Sequence, residues 1–73
     1  MELIAYRYSN YVFLQFDQIV NNLQVILRNA KGEILQRTSI NNKDFLLINI
    51  HDNKEKLKLE VNDHHKILFK KNL

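Results

Sequence analysis

The chain has no cysteine, no proline, no tryptophan and a single glycine, Gly32, among its 73 residues. Without cysteine, disulfides, thiolate zinc ligands and a cysteine nucleophile are all excluded. With one glycine, the chain cannot build a glycine-rich loop that binds phosphate. It has no apolar run long enough to cross a membrane as a helix, and residues 1–10 lack the basic and apolar regions of a signal peptide. We therefore expect no membrane insertion.

The composition is that of one small folded domain. Hydrophobic residues make up 45% of the chain, which is typical of a globular protein and excludes general disorder. Eleven Lys and Arg against eight Asp and Glu give a net charge of +3, which is small for a nucleic-acid-binding domain. The length predicts a single domain over residues 1–73 with a modest core. Since no disulfide staples it, either the core packs very tightly or a partner covers an edge.

Apolar and polar residues alternate with a period of two along most of the chain, which predicts β-strands. The clearest element is a hairpin over residues 23–40, with Gly32 in its turn where a positive φ angle is needed. Seven candidate strands at intervals of about 8 to 12 residues predict an all-β fold, a small antiparallel, immunoglobulin-like β-sandwich of six to seven strands. The main competing interpretation is a helix over residues 17–28, which the helix-disfavouring Asn21 and Asn22 oppose.

The alternation also predicts which side chains face the core. Residues 45–50 are apolar on both faces, which is typical of a central strand covered on both sides. Residues 17–22 are interpreted as a connector rather than a paired strand. The predicted core consists of Ile4, Tyr6, Val12, Leu14, Phe16, Leu23, Val25, Leu27, Ile34, Ile48, Leu57, Leu59, Val61, Ile67 and Phe69.

Three stretches resemble a known group of domains: YVFLQF, then NNLQVILRNAKGEILQRTSI, and, after an aliphatic strand, LKLEVNDHHKILFKKNL. In order and spacing they resemble the small immunoglobulin-like β-sandwich modules of Bacteroidetes secreted proteins. These include short secreted domains and the C-terminal sorting domain of the type IX secretion system. Those families usually carry Gly-x-Tyr before the penultimate strand, where this chain has residues 53–57 without Gly or Tyr. The resemblance implies an extracellular or periplasmic module and supplies no catalytic residues; without it, a cytoplasmic location is expected.

Side chains that could carry chemistry are few. His51 with Asp52, and the pair His64 and His65, are of the type that zinc accepts. Each set lies in a predicted turn, and turns at opposite ends of a sheet do not meet, so these residues are interpreted as solvated. Most carboxylates also fall in turns or at strand ends, away from a pocket that could perturb a pKa. We expect no catalytic site, no metal site and no cofactor, and hence no enzyme.

Two binding functions remain as hypotheses. The first is a non-catalytic protein-binding module, of an extracellular interaction, secretion or inhibitor type, which acts through a sheet edge or face. Its candidate contacts are the tyrosines and the arginine of the first two strands, since Tyr and Arg are enriched at interfaces. The contact edge is predicted at residues 2–8, in a homodimer or against another protein. These candidates are Tyr6, Arg7, Tyr8 and Tyr11.

The alternative is a small cytosolic or phage-type β-barrel that binds nucleic acid. Lysines recur on the last two predicted strands and would form a positive stripe if those strands pair. Exposed aromatic residues for base stacking are available only on the first two strands. The competing interpretation is that these lysines protect an outer strand from aggregation. Six lysines make up this stripe, Lys54, Lys56, Lys58, Lys66, Lys70 and Lys71, and four of them are its candidate contacts: Lys56, Lys58, Lys66 and Lys70.

Overall fold

The structure is a computed structural model that describes residues 1–51 and 55–73. Within these ranges the chain forms seven strands and no helix, so the competing helix over residues 17–28 is absent. The strands are β1 (Leu3–Tyr8), β2 (Tyr11–Val20), β3 (Leu23–Arg28), β4 (Ile34–Ile40), β5 (Lys43–Asn49), β6 (Lys58–Asn62) and β7 (Ile67–Asn72).

The strands form two antiparallel sheets. One has the order β1-β2-β5 and the other the order β4-β3-β6-β7. This is the strand order of a constant-type immunoglobulin sandwich, except that the fourth strand pairs with the third instead of the fifth. The predicted all-β, antiparallel sandwich is therefore confirmed.

The core lies between the sheets and takes alternate residues from each strand. On β2, Val12, Leu14 and Phe16 are buried, while Tyr11 and Phe13 point to the outer side. Most of the predicted core is confirmed, and Phe69 packs against it half-buried. Ile26 is buried on the other face of β3, outside this core. The residues buried between the sheets are Ala5, Val12, Leu14, Phe16, Val20, Leu23, Val25, Leu27, Ile40, Ile48, Ile50, Leu57, Leu59 and Val61.

Four predicted core residues are exposed instead. On β1 the face assignment of Ile4 and Tyr6 is wrong, because the register pairs Ala5 with Leu14 and so turns the odd-numbered residues inward. Ile34 and Ile67 are displaced by register shifts, which pair Ile34 with Arg28 and Ile67 with Asn62 on the outer face of their sheet. A bulge moves a side chain to the other face of a sheet, and the local sequence does not predict where a bulge occurs.

Two further predictions about the first sheet are corrected. Residues 45–50 do not form a central strand, since β5 is the edge strand beyond β2 and its side chains Phe45 and Leu47 are exposed. Residues 17–20 are not a connector, because β2 continues through a register shift until Val20 pairs with Lys43. Val20 is buried there, which explains why the strand extends past the irregularity.

The turn of the β3-β4 hairpin is held by Asn29. Gly32 has a φ of 88°, as predicted, and donates its N–H to the Asn29 carbonyl over 3.0 Å. The Asn29 side-chain oxygen accepts from the backbone N–H groups of Lys31 and Glu33, each over 3.0 Å. The Asn29 amide also donates to the Glu33 carboxylate over 3.0 Å, and the Arg28 guanidinium donates to the Gly32 carbonyl over 2.9 Å, so two side chains satisfy the polar backbone of this turn.

Side chains also tie the two sheets together at their edges. On one side, the Lys71 ammonium of β7 donates to the Ala5 carbonyl of β1, and Arg7 donates to the Glu55 carbonyl over 2.6 Å. At the connections β2–β3 and β4–β5, the Asn21 side chain accepts from the Asn42 N–H over 2.9 Å. These contacts supply part of the closure that a disulfide provides in other small sandwiches.

Candidate functional site

The outer face of the β1-β2-β5 sheet carries a block of nine side chains in three rows. The register places Tyr8, Tyr11 and Asn49 in one row, since Tyr8 pairs with Tyr11 and Tyr11 pairs with Asn49. The same pairings build the other two rows. We call these nine residues the aromatic face: Ile4, Tyr6, Tyr8, Tyr11, Phe13, Gln15, Phe45, Leu47 and Asn49.

The aromatic face is open to solvent. Tyr8 is 74% exposed and Leu47 is 54% exposed. Phe13, at the centre of the middle row, is half-buried because its neighbours lean over it. Its ring lies 5.4 Å from the ring of Tyr6 at 44°, a tilted aromatic contact across the β1-β2 ladder.

A shallow depression lies in the middle of this face. It is lined by Tyr6, Tyr8, Tyr11, Phe13 and Leu47. Three of these five side chains end in a phenolic hydroxyl and two are purely apolar, so the depression offers an apolar floor with hydrogen-bonding groups at its rim. That combination is typical of protein-binding surfaces, where aromatic residues are enriched and charged residues are depleted at the centre.

None of the nine residues of the aromatic face is charged. Taking about 200 Å² for a fully exposed aromatic side chain and less for Ile or Leu, its exposed apolar area is roughly 600 Å². A patch of that size stands at the upper end of what monomeric proteins expose, and the largest patch is frequently functional.

Of the residues predicted to bind protein, three meet on this face and one does not. Tyr6, Tyr8 and Tyr11 lie together around the depression. Arg7 points to the opposite side of β1, where its guanidinium contacts the Glu55 carbonyl. The predicted contact edge, residues 2–8, does contain an edge strand, but the Ala5 carbonyl on that edge accepts from Lys71.

The sequence interpretation missed Phe13, Phe45 and Leu47 as site residues. The signal was present in residues 45–50, which are apolar on both faces. That pattern was interpreted as burial on both sides, whereas the sandwich buries only one face of β5.

The predicted lysine stripe is divided. Lys58 and Lys70 lie on the outer face of the β4-β3-β6-β7 sheet and line one depression with Arg28. Glu60 lies among them, opposite Lys70 in register and 3.8 Å from the Arg28 guanidinium, so it lowers the local positive charge. The other two candidate contacts lie elsewhere: Lys56 precedes β6, and Lys66 is in the β6–β7 turn.

Lys58 and Lys70 lie on the opposite side of the sandwich from the aromatic side chains, because the two groups occupy the outer faces of different sheets. Nonspecific binding of single-stranded nucleic acid needs both in one groove, with aromatic rings stacking on bases while cations follow the backbone. The fold therefore separates the two components that the nucleic-acid hypothesis needs.

The candidate metal ligands lie in turns, as expected. His51 follows β5, whereas His64 and His65 lie between β6 and β7. Asp52, and Lys54 of the predicted lysine stripe, fall outside the described residues. Over residues 1–51 and 55–73, no three His, Asp or Glu side chains are grouped closely enough to hold a metal ion.

Asp63 has a structural role in the β6–β7 turn. Its carboxylate accepts from the backbone N–H groups of His65 over 2.7 Å and Lys66 over 2.8 Å. These two hydrogen bonds lower the pKa of Asp63 below its ordinary value of 3.8. The carboxylate thereby organises a turn, since both of its partners are backbone groups of that turn.

No protein-family model, curated protein or solved structure matches this chain. The resemblance to secreted immunoglobulin-like modules accordingly stays a prediction. Among the described residues there is no helix of the length and apolar character needed to span a membrane.

Proposed function

We propose that this chain is a non-catalytic protein-binding module whose binding surface is the aromatic face of the β1-β2-β5 sheet. The observation that carries the proposal is the composition of that face: seven of its nine side chains are aromatic or aliphatic, and none is charged. Exposing such a surface is unfavourable in water, at about 25 cal/mol per Å² of apolar area. A binding partner that covers it recovers that free energy.

The geometry of the face also supports binding rather than catalysis. Its side chains stand on three paired strands, so the ladder fixes their backbone and little backbone conformational entropy is lost on binding. The depression at its centre is shallow and lined by no acid, base or nucleophile other than the tyrosine hydroxyls. It fits an apolar protein side chain better than a small polar substrate.

Affinity capture from the native proteome, read out by mass spectrometry, tests the proposal. The informative variant is Leu47→Lys, which places a charge in the aromatic face. The matched control is Ile67→Lys, because Ile67 is also an aliphatic residue on an edge strand and is 49% exposed, but lies on the outer face of the other sheet. We expect capture of a partner by the wild type and the control, and its loss for Leu47→Lys. Capture that is equal for all three proteins would contradict the proposal.

Nucleic-acid binding is the second candidate, supported by the depression that Arg28, Lys58 and Lys70 line together. Its test is the salt dependence of binding to single-stranded DNA, since each phosphate contact adds about −0.7 to the slope of log K against log salt. A steep slope that Lys58→Ala and Lys70→Ala reduce would favour this function over the first.

A further inference from the structure

We infer that the partner of the aromatic face is a second copy of this chain, which stacks its own aromatic face on the first to form a symmetric dimer. The inference rests on the proposed function and specifies its partner. It commits to face-to-face packing of two three-stranded sheets rather than to pairing of strand edges.

The first argument is the area. Two faces of roughly 600 Å² bury roughly 1,200 Å² when they are stacked, which reaches the lower limit of stable, specific interfaces. A single extended peptide laid across the face would cover only part of this area. A second sheet of the same width covers all three rows at once.

The second argument is charge. The protein carries a net charge of +3, so two copies repel each other wherever their charged surfaces meet. The aromatic face has no charged member, and the lysine-bearing depression lies on the outer face of the other sheet. Face-to-face stacking therefore places the charged surfaces of the two copies at the far ends of the dimer.

The third argument is shape. Two sheets of the same twist pack face to face with strand directions within about 30°, at a separation of about 10 Å. Two copies have the same twist by identity, and a two-fold axis through the centre of the face brings each Phe13 close to its symmetry mate. The row of Tyr8, Tyr11 and Asn49 then lies toward the rim, where hydroxyl and amide groups remain hydrated.

Pairing through the first edge strand is less well supported. The Ala5 carbonyl on the outer side of β1 already accepts from Lys71, and Arg7 on the same strand reaches Glu55. A strand added at this edge would have to displace the hydrogen bond from Lys71 before it could form backbone hydrogen bonds with β1. The aromatic face offers its area without displacing any contact that the structure describes among its side chains.

The test is sedimentation equilibrium over a concentration series, with the wild type, Leu47→Lys, Tyr8→Lys and the control Ile67→Lys. We expect a monomer–dimer equilibrium for the wild type, dissociation constants raised about tenfold or more by either face variant, and a change within about twofold for the control. Circular dichroism and thermal melting at low concentration establish that each variant is folded. Tyr8→Lys is the second face variant because Tyr8 is more exposed than Leu47 and its replacement disturbs the fold less.

The outcomes separate this inference from the proposed function. A wild type that stays monomeric to submillimolar concentration, while a different protein is captured in a Leu47-dependent way, overturns the dimer and retains the binding face. A monomer with no such capture overturns both. Self-association that both face variants leave unchanged also overturns the inference and assigns the contact to a strand edge.

Isotope-filtered NMR on a mixture of labelled and unlabelled protein supplies the direct readout. We expect contacts between the Phe13 ring of one copy and the aromatic face of the other. A dimer without any contact between copies at Phe13 contradicts the stacked arrangement.

Discussion

Leu14 and Leu47 lie on neighbouring strands of one sheet and point to opposite sides of it. Leu14, on β2, is completely buried between the sheets, whereas Leu47, on β5, is about half exposed on the aromatic face. Replacing each by alanine removes the same atoms from two environments. The pair therefore measures which side of the sheet is the core.

The expected costs differ several-fold. Leu14→Ala loses the transfer free energy of the removed atoms and leaves a cavity, which together cost about 3 kcal/mol within a usual range of about 2–5 kcal/mol. Total stability at this length is roughly 4–11 kcal/mol, so the variant loses a large share of it. Leu47→Ala leaves no cavity and loses only part of a partial burial, so we expect less than about 1 kcal/mol for the monomer.

Urea unfolding followed by circular dichroism at low micromolar concentration measures both values. The midpoint should fall strongly for Leu14→Ala and little for Leu47→Ala, with similar slopes. Equal losses for the two variants at this concentration would refute the assignment of faces. Repeating the experiment at submillimolar concentration adds a test of the dimer. There the wild type gains stability from association and Leu47→Ala should gain less, because folded chains associate and unfolded chains do not.

The remaining predictions concern turns and the lysine-bearing surface. Gly32→Ala should cost about 1–2 kcal/mol by thermal melting, because φ is 88° although no atom lies within 4 Å of the added carbon; an unchanged melting temperature contradicts the backbone argument. Asn29→Ala should also destabilise the protein, by about 1 kcal/mol or more, and Asn29→Asp should recover only part of this loss, because it keeps the accepting oxygen but places a second carboxylate beside that of Glu33; a melting temperature of Asn29→Ala equal to that of the wild type would argue against the turn contacts. The Asp63 carboxyl should titrate below 3.8 by NMR, and its stabilising contribution, present above the unfolded-state pKa, should fade as pH falls through the folded-state pKa; Asp63→Ala should lose that dependence, and a pKa at or above 3.8 would contradict the two hydrogen bonds. Lys58→Ala combined with Lys70→Ala should leave self-association unchanged, because both lysines lie on the outer face of the other sheet. A raised dissociation constant of the dimer in this double variant, measured by sedimentation equilibrium, would place the interface on that outer face instead.

The period-two pattern could predict the strands because a strand with one buried face must alternate. β6 shows this directly, with Leu59 and Val61 buried and Glu60 between them on the outer face, whereas on β3 Ile26 is buried as well as Val25 and Leu27. The β3-β4 hairpin can also be predicted from the sequence, since its only glycine falls where the loop needs a positive φ angle. Fold class therefore follows from local patterning when the pattern is regular.

Side-chain direction on β1 could not be predicted in the same way. Residues 3–8 are apolar at almost every position, so alternation does not say which set faces the core. The register with β2 decides, and it places small Ala5 inside while the larger Tyr6 lies outside. That choice depends on partners distant in sequence, as do the register shifts that expose Ile34 and Ile67.

The candidate site was obscured for a related reason. A binding face made of apolar residues looks like core in the sequence, because both are selected for the same side chains. Phe45 and Leu47 alternate with buried residues on β5, and only the strand's place at the edge of a three-stranded sheet shows that nothing in the chain's described residues covers their side. A strand of this kind is apolar on both faces, but the sandwich buries only one of them. The described residues form no third layer, so the second face is available for a partner, and the dimer that we propose would place an identical sheet there.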